Sequence, residues 1–150
     1  MIELKNINDS NLGGLNVLRF APRHYFSNLN PTNLTFKQGF DWINIKLTSE
    51  TGQIEHEGAL DNGDPYYNVS LEIQLPKERS EIDTHLNRHI GLPCVVMITD
   101  NNRNTRLTGH HPGEFVLLHT STSGQKVADE NGYTISFKGK QQYKADFITL

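Results

Sequence analysis

The sequence predicts a mainly β domain of the α+β kind, an antiparallel β-sandwich or barrel-like sheet of about seven strands with one flanking α-helix at about residues 78–90. Three observations predict it. Val69, Leu71, Ile73 and Leu75 alternate with polar residues at a period of two, the mark of a half-buried strand. Directly afterwards Ile82, Leu86 and Ile90 recur every four residues, which lines one stripe of a helix. Elsewhere, short apolar runs are separated by clusters of Asn, Asp, Gly and Pro, residues with specific backbone reasons to sit in turns.

Taken in order, residues 1–14 are polar and end in Asn11-Leu12-Gly13-Gly14, so they are expected to form an N-terminal arm. Residues 15–20 read as a strand with both faces partly covered, Leu15 and Val17 on one side and Leu18 and Phe20 on the other. The stretch 21–38 holds Pro22 and Pro31 among Asn and Thr and reads as a long loop pinned by Tyr25, Phe26 and Phe36. Ile43, Ile45 and Leu47 share one face of a strand over 40–48, with Trp42 at its start. A long polar loop is expected over 49–66, where Thr51-Gly52 and Asp61-Asn62-Gly63-Asp64-Pro65 are turn-forming, and loops of that length in compact domains are usually functional or disordered. The helix after Pro76 has Ser80 and Asp83 at capping-box spacing, and Gly91 with Pro93 stops it. Residues 94–100 are apolar on both faces, hence central, and pair through Asp100-Asn101-Asn102-Arg103-Asn104 with a strand over 105–109. Strands over 114–120, 133–138 and 143–149 complete the set, the last with Ala145 and Phe147 on one face. The whole of 1–150 reads as a single domain.

Composition narrows function. A formal charge of −3 argues against a protein whose main task is gripping phosphate backbones, which calls for a basic stripe. The single cysteine, Cys94, lies in an apolar run and reads as a small buried hydrophobe. No window approaches a membrane span and no secretory leader is legible at the start, so cytosolic synthesis and a soluble product are expected. Gly-x-Ser-x-Gly, Walker-type and Gly-x-Gly-x-x-Gly motifs are all missing, and no catalytic residue or cofactor is expected.

Seven histidines invite a metal reading, and His85 with His89 at helical i, i+4 spacing are its candidates. No glutamate follows His85 as a helical zinc protease requires, and His89 falls at the edge of the apolar stripe, where an imidazole can be half buried and satisfied. Asp61-Asn62-Gly63-Asp64 faintly resembles a calcium loop but lacks the downstream glutamate, and turn chemistry accounts for it. Trp42, Tyr66 and Tyr67 would serve a glycan-binding sandwich if exposed.

Residues 67–150 follow a recognisable order. An alternating strand, Pro76, one amphipathic helix and Gly91-x-Pro93 lead to a strand ending Ile98-Thr99-Asp100-Asn101; Arg106-Leu107-Thr108-Gly109, Ser123-Gly124 and Asp129-x-Asn131-Gly132-Tyr133-Thr134-Ile135-Ser136-Phe137 come next. This order resembles small structural proteins of tailed bacteriophages and prophages that build the tail tube, the tail terminator or neck rings. Residues 1–66 lie outside the resemblance. It implies a non-enzymatic virion component, made in the bacterial host cytoplasm, that forms a homo-oligomeric ring or stacked tube and contacts neighbouring virion proteins. DNA would pass through a lumen without specific recognition, and no membrane is involved. The interface is then expected on Glu55, Glu57, Asp61, Asp64 and Tyr66 of the loop and on Leu4 and Leu12 of the arm, because sheet edges, loops and arms are what such a subunit offers its neighbours. A carbohydrate- or protein-binding sandwich, and a small metal enzyme built on His85, His89 and the pair His110-His111, are the alternatives.

Overall fold

Two antiparallel sheets sandwich a core supplied by alternating residues, and one of them is covered on its other face as well. The computed structural model describes residues 3, 14–47, 52–123, 125 and 132–148. Its strands are β1 (Leu15–Pro22), β2 (Phe26–Asn28), β3 (Thr35–Phe36), β4 (Ile43–Lys46), β5 (Gln53–Asp61), β6 (Asp64–Pro76), β7 (Cys94–Asp100), β8 (Thr105–Thr108), β9 (Val116–Thr122), β10 (Gly132–Gln141) and β11 (Asp146–Ile148), with helix α1 (Ser80–His89) between β6 and β7. The mainly β architecture with one helix is therefore as expected, built from eleven strands rather than seven. A five-stranded sheet runs β11-β8-β7-β1-β4, a four-stranded sheet runs β5-β6-β10-β9, and β2-β3 form a small hairpin.

The alternation of β6 does what its pattern dictates: Val69, Leu71, Ile73 and Leu75 are buried while Glu72 and Gln74 are exposed. They meet Leu18, Phe20, Val96 and Ile98 of the facing sheet, together with Leu117, Ile135 and Phe137 of their own. Strand β7 is third of five in its sheet and buried on both sides. Cys94, Val96 and Ile98 join the inter-sheet core, whereas Val95 and Met97 join a second cluster with Ala21, Phe26 and Leu107. The aromatics of the expected long loop close that second cluster, where Phe26 stacks on Phe36 at 4.3 Å and Trp42 meets both edge-on at 5.3 Å. The stretch is thus a 3-10 turn and a hairpin rather than a plain loop. Buried Cys94 has its thiol pushed up to about 12 by burial, so it stays protonated.

Several expectations are corrected. In β1 a register irregularity between Leu15 and Val17 inserts one residue, so Leu15 joins Leu18 and Phe20 in the core and Val17 is left 37% exposed. The polar loop expected over 49–66 is, from Gln53 onward, the hairpin β5–β6 in register from Gln53↔Glu72 to Asp61↔Asp64. Asn62 (φ 51°) and Gly63 (φ 86°) make its two-residue turn, both with the positive φ of a type I′ connection. Phe147 does not share a buried face with Ala145: it is 63% exposed and carries the Arg106 guanidinium at 4.1 Å over its ring. The arm over 1–14 lies outside the described residues except for Glu3 and Gly14.

Helix α1 begins one residue earlier than a Ser80 cap would place it. Arg79 is the N-cap and makes no side-chain cap bond. The Tyr133 hydroxyl of β10 substitutes for that cap, accepting the Arg79 N–H at 2.9 Å and lying 2.7 Å from Asp83 Oδ1, to which it donates. Asp83 is therefore spent on the sheet rather than on a capping box. At the other end Ile90 is the C-cap, its ψ of 132° takes it off the helix, and it is exposed, so Leu86 and His89 form the buried stripe with Ile82 beside them. Replacing Tyr133 by Phe keeps the buried ring and removes this tether. The expected loss is about 1 kcal/mol, read as a lower urea midpoint at unchanged slope.

Candidate functional site

The two adjacent histidines that follow β8 point to one place, which a continued strand would forbid because neighbouring side chains alternate. Gly109 breaks the strand at φ 84°, and a Cβ at that residue would collide with the Cys94 carbonyl oxygen and press on the Phe115 ring. Beyond it His110 turns inward and His111 stays half-buried. The β8–β11 pairing sets Asp146 opposite Leu107 and so beside the histidines that follow. Both imidazoles donate Nε2–H to the same carboxylate oxygen, Asp146 Oδ2, from His110 at 2.7 Å and from His111 at 2.8 Å.

The rings are held on several sides. They lie 4.0 Å apart between centroids, Tyr143 packs on His111 at 4.9 Å, and Arg23 Nη1 donates to the His111 carbonyl oxygen at 3.3 Å. Burial lowers the His110 pKa; its bond to Asp146 pulls the other way, and the nearby charges of His111 and Arg23 add to the lowering. Its side chain is 1% exposed, and Nδ1 is buried with no hydrogen-bond partner among the described residues. The ligand-capable atoms of His110, His111 and Asp146 all lie within 4.8 Å of one another, and these three are the residues that could hold a metal among those described.

The expected helical pair does not converge. His85 is exposed, whereas His89 is buried with Nδ1 2.7 Å from the His85 carbonyl oxygen and Nε2 3.3 Å from the Tyr25 hydroxyl. Both ring nitrogens of His89 are engaged within the fold, so no clamp forms. Of the expected interface residues, Glu55, Glu57 and Asp61 are exposed on β5, and Asp64 is exposed at the start of β6. Tyr66 is half-buried beneath Lys140, whose Nζ lies 4.1 Å from the ring centroid and 2.8 Å from Asp61 Oδ2. Leu4 and Leu12 lie outside the described residues. Trp42 is part of the second core cluster and does not stand out over a groove.

A cleft of about 650 Å³ opens between β5 and the β7–β8 hairpin, with Gln53, His56, Asp100, Asn104 and Arg106 as its polar lining. Its groups are partly committed. Asp100 Oδ1 accepts the backbone N–H of Asn102 and of Asn104, both at 2.9 Å, and His56 Nε2 accepts the Ala145 N–H at 3.3 Å. Burial, with the positive charges of Arg106 and Lys144, lowers the His56 pKa from the ordinary 6.5.

Two outcomes are expected. Because His56 is held neutral, the unfolded chain takes up its proton first as pH falls. The stability that His56 contributes is whole above pH 6.5 and is lost as pH drops from there through the folded-state pKa. Urea titrations from about pH 7.5 to about pH 5 should show His56→Leu losing less stability over that span than the parent, and equal losses would refute the assignment. Gly109→Ala, which forces a side chain into a strained and filled position, should cost about 2 kcal/mol or more. A change within about 0.5 kcal/mol in the same measurement would show that the turn is not constrained as described.

No protein-family model, curated protein or solved structure matches the chain.

Proposed function

We propose that this chain is a non-enzymatic structural subunit of a tailed-phage virion, joining copies of itself into a ring or stacked tube in the tail or neck. The observation that carries the assembly reading is the β5 edge. Strand β5 runs nine residues, pairs with β6 on one side and is the outermost strand of its sheet. Open edges of that length are normally blunted by brevity, bulges, lysine or proline, since their unpaired N–H and C=O groups template another strand. β5 has no register shift and contains neither lysine nor proline.

The other edges are shorter or shielded. β4 has four residues and β11 three, and β9 is met by the Gly91 N–H on the Leu117 carbonyl oxygen at 2.9 Å. Past Tyr67, where β10 stops pairing with β6, the β5–β6 hairpin continues alone to its turn, and Leu60 near the tip is 72% exposed. Glu55, Glu57 and Asp61 give the strand an acidic outer row that suits a basic partner surface. Placement in a phage tail or neck rests on the element order of residues 67–150, and the net charge of −3 suits a subunit that DNA passes without being gripped.

Light scattering and electron microscopy of the concentrated protein should show closed rings or stacked tubes with β5 at the junction. Leu60→Lys should leave the urea midpoint unchanged, because the side chain is already in water, while lowering the assembled fraction at equal concentration. Wild-type protein that stays monomeric at all concentrations, with β5 amides exchanging freely, would overturn the reading.

A further inference from the structure

We propose that His110, His111 and Asp146 form a solvent-accessible site for one divalent cation of borderline softness, with Zn²⁺ the first choice. Two imidazole nitrogens and one carboxylate oxygen make the N₂O donor set of open zinc sites, which keep a further position for water. The donors are already assembled, all within 4.8 Å, and both Nε2 atoms face the same Asp146 oxygen at 2.7 and 2.8 Å. Tetrahedral Zn²⁺ with bonds near 2.0–2.1 Å spaces its ligands by about 3.3 Å. Each nitrogen must therefore draw back from the oxygen by only about half an ångström.

The cradle is rigid where rigidity matters. His110 is locked in the protein interior beyond the constrained Gly109 turn, and Asp146 is fixed by the β8–β11 register. Access comes through the other two ligands, whose side chains are 26% exposed for His111 and 38% for Asp146. To ligate, each ring carries its proton on Nδ1 and offers the Nε2 lone pair. The His110 Nδ1 has no acceptor among the described residues, a deeply buried polar atom that the fold alone leaves unserved. Ligating histidines usually donate that proton, and its lack of a partner sets the affinity about 10–100-fold below that of a fully supported site. The ion is accordingly exchangeable rather than a structural staple. The site is independent of the β5 edge and of the assembly reading.

Equilibrium dialysis of protein without a histidine tag against Zn²⁺, followed by elemental analysis, should find one ion per chain. Co²⁺ at the same site should give visible absorption bands of low-coordinate geometry. His111→Gln, a change at a partly exposed ring, and Asp146→Asn should each weaken binding about tenfold or more. His85→Ala, on the exposed face of α1, should not. Zn²⁺ should also raise the melting temperature of the parent and not that of His111→Gln. Absence of a bound ion in the parent, or unchanged Zn²⁺ affinity in His111→Gln, would overturn the proposal.

Discussion

Burial of β7 on both faces is the constraint on which the rest of the structure depends. A strand with Cys94, Val96 and Ile98 on one side and Val95 and Met97 on the other must be covered twice, because each uncovered aliphatic side chain forfeits about 1.5–3 kcal/mol of transfer free energy. One cover is the four-stranded sheet. The other is improvised from a short hairpin and an aromatic cluster around Phe26, Phe36 and Trp42. In the four-stranded cover, β5 is an edge with nothing paired beyond it among the described residues.

The parts legible in the sequence are those where a single period survives. β6 keeps apolar residues at its inward positions from Val69 to Leu75, α1 keeps Leu86 and Ile82 on its packed face though not Ile90, and β7 is apolar from Cys94 to Ile98. β5 escapes because its half-buried positions are Ile54, His56 and Ala59, so the period of two breaks along the strand and one of its inward residues is polar. The Asn62-Gly63 pair was visible as a turn; what hid the hairpin was the polarity of the strand before it. In β1 the inserted residue near Leu15 shifts parity, and no local pattern announces a bulge. No local pattern in the sequence says which strands pair, so the strand count and the pairing order needed the third dimension.

The histidine cluster was half legible. His110-His111 stands out as a dipeptide, but its partner Asp146 lies 36 and 35 residues away and is brought in only by the pairing of β11 with β8. The i, i+4 spacing of His85 and His89 pointed to the helix instead. There the amphipathic stripe claims His89, and its nitrogens are used by the helix carbonyl and by Tyr25. Histidine spacing along a helix reports geometry only when both rings leave the core on the same side.

The two-residue turn of the β5–β6 hairpin has a consequence for recognition. Its tip extends three residue pairs past the last β6–β10 pairing, about 10 Å at strand rise, and is braced by Lys140 against Asp61 and the Tyr66 ring. A projection with its backbone pairing already made surrenders little conformational entropy on docking, whereas a floppy tail would have to be ordered residue by residue. A small contact area at this tip can therefore count for more than an equal area on an unstructured segment, and its orientation is inherited from the sheet behind it.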